Sequence, residues 1–547
     1  MHLHPIDGIA TTRYLLGFDL RRKPHLDADV LVIGSGIAGC VAALAAAEND
    51  REVLLLTKGE LQESNTRYAQ GGIAAVLDDQ ERDLGDSIEQ HVQDTLQAGG
   101  GLCDELQTRE ILKQSAQAIT FLRRHGCRFD GEATGTGKAD LTREGGHRFR
   151  RILHAHGDST GAEISQSLRN AVLQHPLITV REHSFSLDLL KEDGRVVGAL
   201  YHRRGEIYAA LAGSTVLATG GCGRMWRETT NPTIATGDGL AMAYRAGATV
   251  ADCEFMQFHP TTLYLAGAAR LLITEAMRGE GAVLKNHAGE AFMARYHRDG
   301  DLAPRDIVSQ GIIAEIRNTR FPHVWLDASH LGQDYLRQRF PTIFGSLQEF
   351  GIDISRDWIP VHPSAHYHCG GVITDAQGRS TISGLFAAGE VACTGLHGAN
   401  RLASNSILEG VICGLQAGIQ AAAEGGFPGR IRISQDHYPA ASSKLDIPDL
   451  LRSLRAMMWR NVGVERDHDG LSTALRSIGF WADHQARGAL EHEAGWELQN
   501  MLLVSQLVTA MAHTRTASLG THLRKDSHAQ NISAHLTMTR PERADND

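Results

Sequence analysis

Apolar positions follow two rhythms along this chain: short unbroken runs that end in glycine, and longer stretches with apolar residues at helical spacing. Residues 29–33 (DVLVI) form the first short run. Gly34-Ser35-Gly36-Ile37-Ala38-Gly39 follows, then an Ala-rich helical segment to about Asn49 and a second apolar run, Val53–Leu56. Strand, glycine turn, helix and strand in that order predict the opening of a nucleotide-binding α/β domain. GRVVGALYHRRGEIYAALAG alternates apolar and polar residues about a polar turn, which predicts a small antiparallel insertion. It leads into a strand at Thr215–Thr219 that ends in Gly220-Gly221.

From about 255 to 355 the texture changes. Helical segments at Glu290–His297 and Pro304–Asn318 mix with short aromatic runs, as expected of an inserted domain that caps a site. The glycine-rich pattern returns at about 365–425, with Gly384–Glu390 and a long Ala/Gly-containing helix from Asn405. Beyond a polar, Pro-containing link (435–449), Leu451, Leu454 and Met458, then Leu498, Leu502, Leu507 and Met511, predict about three helices. The last twenty residues are polar and read as a fraying tail. The predicted division is 1–254 and 355–434 for an interrupted nucleotide domain, 255–354 for the cap, and 435–547 for a helical domain with its tail.

At 547 residues and 59.4 kDa, two or three domains are expected. A net charge of -10 argues against a general nucleic-acid binder. None of the eight cysteines is spaced as CxxC, so reduced cytoplasmic thiols are the expectation. The first residues lack a basic start with an apolar h-region, and no run approaches 18 uninterrupted apolar residues. A soluble protein without a membrane segment follows as the expectation.

GSGIAG assigns Gly34 to the turn, Gly36 to room for a pyrophosphate and Gly39 to close helix–strand approach, with backbone N–H groups facing the negative charge. The acid that would bind a ribose at the end of the second strand is replaced by Thr57-Lys58, which disfavours NAD. A flavin fits better. Ser64-Asn65-Thr66 and Gln70-Gly71-Gly72 are candidates to wrap the middle and ring of FAD, and Asp238 and Glu390 to accept from hydroxyl groups. The full cofactor set comprises these residues, Gly34, Ser35, Gly36, Ala38, Gly39 and Lys58, with Ser406 and Leu408 at the start of the long helix.

Four segments set His, Arg and hydroxyl groups beside glycine or proline: Phe258–Thr261, Ala303–Asp306, His366–Gly371 and Gly398–Leu402. A dicarboxylate needs donors at both ends, and arginine forks with His or Thr supply them. His362, His366 and His368 lack HExxH or a cysteine pair, so no metal is expected, and no GxSxG elbow is present. The basic run Thr142–Arg151 reads as a loop lining an anionic-substrate entrance, with a solvated charged face as the alternative.

These motifs together resemble the L-aspartate oxidase family within the succinate dehydrogenase/fumarate reductase flavoproteins. The likeness spans residues 28–520 and rests on VIGSGIAG (32–39), AQGGIAA (69–75), LATGG (217–221), FHPT (258–261), TEAMRGEGAVL (274–284), LAPRD (302–306), HYHCGG (366–371), LFAAGE (385–390) and GANRLASNS (398–406). LTREGGHRFRRILHA (141–155) resembles aspartate oxidase within that group. Asn65 stands where the respiratory enzymes carry the histidine bonded to FAD, implying one non-covalent FAD per chain.

The implied fold is α/β: a discontinuous Rossmann-like FAD-binding domain, an inserted α+β capping domain and a C-terminal helical domain. By resemblance, His259, Thr274, His366 and Arg401 bind the substrate carboxylates, Arg305 is the proton-transfer residue, and Glu275 and His368 shape the pocket. The family's acidic contact for the substrate ammonium aligns here with Thr136, leaving Glu132 or Asp140 as substitutes. The implied reaction is oxidation of L-aspartate to iminoaspartate, with O2 or fumarate reoxidising FAD and quinolinate synthase as the downstream partner in NAD biosynthesis. The alternatives are a succinate or fumarate flavoprotein and a flavin-containing binding or regulatory protein without turnover.

Overall fold

The computed structural model describes the chain except residues 79–82, 133–138, 269, 427–430, 436–440, 443–445, 487, 490–491, 528–533 and 542–547. β1 (His25–Ile33), α1 (Ile37–Ala47) and β2 (Val53–Leu56) form the strand, turn and helix unit, β1 starting four residues before the apolar run. α2 (Ile88–Ala98), β3 (Ile178–Arg181), β4 (Phe185–Glu192), β5 (Arg195–Arg203), β6 (Glu206–Leu217) and α3 (Asp238–Ala246) follow. β7 (Met256–Leu263), α4 (Glu275–Gly279), β8 (Val283–Lys285), α5 (Arg305–Thr319), β9 (Val324–Asp327), α6 (Pro341–Glu349) and β10 (Ile359–His368) come next. β11 (Leu385–Ala387), α7 (Asn405–Glu424) and three helices, α8 (Ile447–Asn461), α9 (His468–Ala486) and α10 (Glu493–Thr514), complete the order used below.

The central sheet runs β3-β2-β1-β6-β5-β4, with β11 also paired to β6. Its β3, β2, β1, β6 and β11 are parallel, while β5 and β4 continue it antiparallel. The expected hairpin is therefore part of this sheet and no separate insertion. β6 runs on without a break, so one strand pairs with β5 on one edge and with β1 from Ala209 to Leu217 on the other.

α1 and α7 cross at backbone contact. A Cβ at Gly410, Gly414 or Gly418 would lie 2.6 Å from Ile37 Cγ2, 2.6 Å from the Ala38 carbonyl oxygen and 2.4 Å from that of Ala42. Four-residue spacing places the three glycines on one helix face. α7 is long and apolar enough to cross a membrane, but 72% of its apolar window is buried within the protein, as befits an inner helix.

β7-β10-β9-β8 form a separate antiparallel sheet with its own apolar core, including Met277, Leu284, Phe292, Ile312, Leu326 and Phe340. β10 lies beyond the sequence boundary at 354 yet is hydrogen-bonded into this sheet. Arg305–Thr319 is helical as expected, whereas Glu290–His297 keeps only a 3-10 turn at Met293–Arg295. α8 to α10 share one core with the central sheet, where Leu454, Met458, Leu498, Leu502, Leu507 and Met511 are all buried. The tail does not simply fray: His535–Met538 is a buried strand between Leu3–Pro5 and Val250–Ala251. Its alternate residues join the apolar core despite their polar neighbours.

Candidate active site

A cleft of about 1170 Å³ opens where β1, β2, β6 and β11 end, with Ile33, Leu56, Ala218 and Ala388 in its wall. Ligands of parallel α/β sheets sit at this edge, beyond the carboxyl ends of the strands. Gly34, Ser35, Gly36, Ala38, Lys58, Ser64, Asn65, Thr66, Gln70, Gly71, Gly72, Asp238, Glu390 and Ser406 line the cleft. Gly39 and Leu408 do not. Gly39 lies under the turn, where a Cβ would be 1.9 Å from the Gly34 carbonyl oxygen. Leu408 is fully buried in the core beside α1, and Ile407 takes its place on the wall.

The turn fits a phosphate ligand. Gly34 has φ +111°, and a Cβ on Gly36 would meet nothing nearer than Thr66 Oγ1 at 3.6 Å. Polar atoms buried in the wall await partners: Asn65 Oδ1, Gln70 Oε1 and Thr219 Oγ1 make no hydrogen bond within the protein. The other end of the Asn65 amide donates to Glu390 Oε2 at 2.8 Å, and burial raises the Glu390 carboxyl above its usual range. The donors, acceptors and open glycine face together suit FAD.

The same cleft is also lined by His259, Thr274, Glu275, Arg305, His366 and Arg401. Strand β7 carries His259. The Thr261 N–H donates to His259 Nδ1 at 3.3 Å, while Nε2 is buried without a protein partner. Burial, followed by Arg305 and His366, lowers the ring's pKa far below 6.5, so the ring is neutral and its proton sits on Nε2. An uncharged N–H donor therefore faces the cleft. His366, on β10, is likewise held neutral by burial and by Arg401, and its Nδ1 is 2.9 Å from Thr230 Oγ1. Thr274 caps α4, its hydroxyl accepting the Ala276 N–H.

Arg305, at the first position of α5, donates through Nε to Glu275 Oε2 at 2.6 Å and through Nη1 to Gln257 Oε1 at 3.2 Å. Arg401 Nε donates to the same Gln257 oxygen at 3.3 Å, and its Nη1 to Ser406 Oγ at 2.9 Å. Burial, then the Arg305 charge, pushes Arg401 down to about 10, still a cation at neutral pH. For Glu275, burial works to raise the pKa but Arg305 and Arg278 outweigh it, and the carboxylate stays ionised. Arg278 lies behind it, fully buried, with Nε and Nη2 unpartnered by hydrogen bonds and Nη1 donating to the Asp301 carbonyl.

The sequence reading does not single out four residues. Gln257 spans the two guanidinium groups; it stands two residues before His259 in a strand, and that alternation was a usable signal. Arg278 is the second. Tyr367 is the third, its ring 4.8 Å from the Arg401 guanidinium. Glu144 is the fourth: buried, it accepts from Ser404 Oγ at 2.6 Å and leaves Oε1 without a partner. Thr136 lies outside the described residues. Of its two proposed substitutes, Glu132 is occupied by Arg123 at 2.7 Å, and neither it nor Asp140 lines the cleft.

His368 does not line the cleft either; its Nε2 is 3.0 Å from the Cys253 carbonyl, and burial lowers it to about 4. The basic run 142–151 is absent from the wall. Arg151 is fully buried between Asp86 at 2.6 Å and Asp94 of α2 at 2.7 Å, and Arg148 pairs with Asp94, because Asp94 on the neighbouring helix and Asp86 just before it neutralise these charges. No cluster of three metal-ligating side chains occurs among the described residues.

Comparison with known proteins agrees with this geometry. The FAD binding domain family matches residues 29–407, and the fumarate reductase flavoprotein C-terminal family matches 451–546. L-aspartate oxidase of Streptomyces coelicolor is 44% identical over 524 residues, covering 91% of this chain and 88% of that protein. L-aspartate oxidase 1 of Ralstonia nicotianae is 43% identical over 514 residues, covering 91% and 95%. Among solved structures, an E. coli quinol fumarate reductase superposes with a TM-score of 0.86 at 30% identity, covering 94% of this chain and 96% of that one.

Proposed function

The chain belongs to the L-aspartate oxidase family, and from that membership we propose how its own residues carry the reaction. It is an FAD-dependent oxidoreductase that oxidises L-aspartate to iminoaspartate. FAD, when bound, would supply the acceptor for the hydride from aspartate Cα, with O2 or fumarate as the terminal oxidant. We assign one FAD to the cleft of each chain, held without a covalent bond, because Asn65 has no ring nitrogen to attach it.

Neutral His259 and His366, Thr274 and the Arg401 cation bind the two carboxylates and hold Cα in one orientation. Glu144 stands just behind the wall at Gly71, where a Cβ would lie 3.5 Å from its unpartnered Oε1, and its charge supports the Arg401 cation; it is the acid we assign to the substrate ammonium. Arg305 is the proton carrier. A guanidinium is already protonated at neutral pH, so it can take the proton that the substrate ammonium gives up only by passing one of its own on, and its hydrogen bond to ionised Glu275 gives that proton a place to go. The product imine hydrolyses readily, so quinolinate synthase is the partner we expect to take it. Eight unpaired cysteines support a cytoplasmic setting.

One observation carries this reading: an unpartnered neutral His259 donor and two guanidinium groups stand in the same cleft as the FAD-binding wall. The test is the anaerobic visible spectrum of the FAD-loaded protein on separate addition of L-aspartate and succinate. Bleaching of the oxidised-flavin band by aspartate is expected. Bleaching by succinate alone would move the protein to the succinate/fumarate branch.

A further inference from the structure

In nucleotide-binding folds, an acid at the end of the second strand usually takes the ribose hydroxyls. Lys58 occupies that position here, and its ammonium is turned toward three oxygens. It donates to Thr236 Oγ1 at 2.8 Å and to Asp238 Oδ2 at 2.9 Å, and it pairs with Glu497 Oε2 at 2.6 Å. Burial tends to lower the Lys58 pKa, but Asp238 and Glu497 outweigh it and the lysine stays charged. Glu497 comes from α10, far along the chain from the glycine turn.

A second residue of α10 reaches the same place. Asn500 Nδ2 donates to Asp238 Oδ1 at 2.7 Å. The other end of its amide accepts from Arg245 Nη1 at 2.7 Å, and Arg245 in turn donates to Asp188 Oδ1 at 2.7 Å. Only one orientation of the amide satisfies both neighbours, since a carboxylate accepts and a guanidinium donates. Glu497 and Asn500 are three apart, hence on one face of the helix. Both oxygens of the cleft-lining Asp238 are thus fixed, one by Lys58 and Thr236 and the other by α10.

We propose that Glu497 and Asn500 are positioning residues for the cofactor, through which the C-terminal helical region holds Lys58 and Asp238 in place and so sets how tightly FAD is retained. The inference rests on the FAD reading but not on aspartate as the substrate. By linkage the coupling runs both ways, so bound FAD tightens the seating of α10 on the cleft wall.

The test uses the full-length protein loaded with FAD and compares wild type, Glu497→Gln and Asn500→Ala. FAD release on dilution is followed by the recovery of free-flavin fluorescence, and thermal midpoints are recorded with and without FAD. Glu497→Gln keeps the shape of the side chain and removes its charge; it is expected to weaken FAD binding about tenfold. The midpoint without FAD should stay close to wild type, and the increment that FAD adds should shrink. If Asn500→Ala fails to fold, Glu497→Gln decides alone. Unchanged FAD retention in Glu497→Gln overturns the proposal. So does a fall in the FAD-free midpoint with FAD affinity intact, which would make the contact a structural tie only. Tight FAD with no bleaching by aspartate would overturn the substrate reading and leave this one standing.

Discussion

Gln257 offers a single oxygen to two cations, and much of the site's behaviour follows from how such groups are held. Arg401 meets substrate by charge-assisted hydrogen bonds worth about 1.5–3 kcal/mol each, so Arg401→Ala should raise the aspartate KM by at least about 10- to 100-fold. Arg305→Ala should instead slow flavin reduction by about 10²- to 10⁴-fold, the usual range for losing a proton-transfer group. Stopped-flow reduction with aspartate separates the two; equal loss in both steps would deny Arg305 its separate role. His259 gives a pH prediction. Its folded pKa lies far below the unfolded value of 6.5, so its contribution to stability is complete above 6.5 and is lost as pH falls below it. The stability difference between wild type and His259→Gln should therefore drift in favour of the variant below pH 6.5, by at most about 1.4 kcal/mol per pH unit. Urea titrations at pH 7.5 and 5.5 measure it. Most of these residues were legible as motifs. Glu144 is not legible as a motif because it is placed by a contact with Ser404, 260 positions away, that no local pattern announces.

The elements most legible in sequence were those whose period and punctuation agree: β1, α1, β2, α5 and the helices α8 to α10. Tertiary context decided the rest. Glu290–His297 carries helical composition but is only a short turn, and the polar tail holds a strand because a sheet edge at Val250–Ala251 awaits it. The crossing of α1 and α7 depends on an absence of side chains. A methyl on Gly414 would sit 2.6 Å from the Ala38 carbonyl oxygen, within backbone that cannot rotate away. Gly414→Ala should therefore cost about 1–3 kcal/mol, as overpacking usually does, and push the start of α1 out of register with the glycine turn. Lower thermal stability together with weaker FAD binding is the expected pair of results. Lower stability with FAD affinity unchanged would show that α1 absorbs the strain elsewhere.

Across the whole molecule, the cap is tied to the nucleotide half beside the cleft. Asp158, buried in the cleft wall, accepts the N–H groups of Thr342 and Ile343 at 3.1 and 3.0 Å, capping α6 from the other side of the gap. Glu228 and Arg270 make a second tie at 2.5 Å. Asp158→Ala should cost about 0.5–2 kcal/mol through the lost cap and speed release of a bound dicarboxylate. Release that is no faster in a destabilised variant would show that the cap stays shut without this contact.

The rung of the β7–β10 ladder that sets Met256 opposite His368 has a consequence for how the protein assembles. Chain entropy disfavours joining β6 to β11 across so long an excursion, even though the cost grows only slowly with loop length. Once β7 and β10 have zipped together, the excursion behaves as a closed loop with adjacent ends, and the two halves of the nucleotide wall find each other as near neighbours. Maturation would then run from the cap inward, with FAD capture as its last event. A flaw in that rung would show itself first as a protein slow to acquire its flavin, well before any effect on turnover.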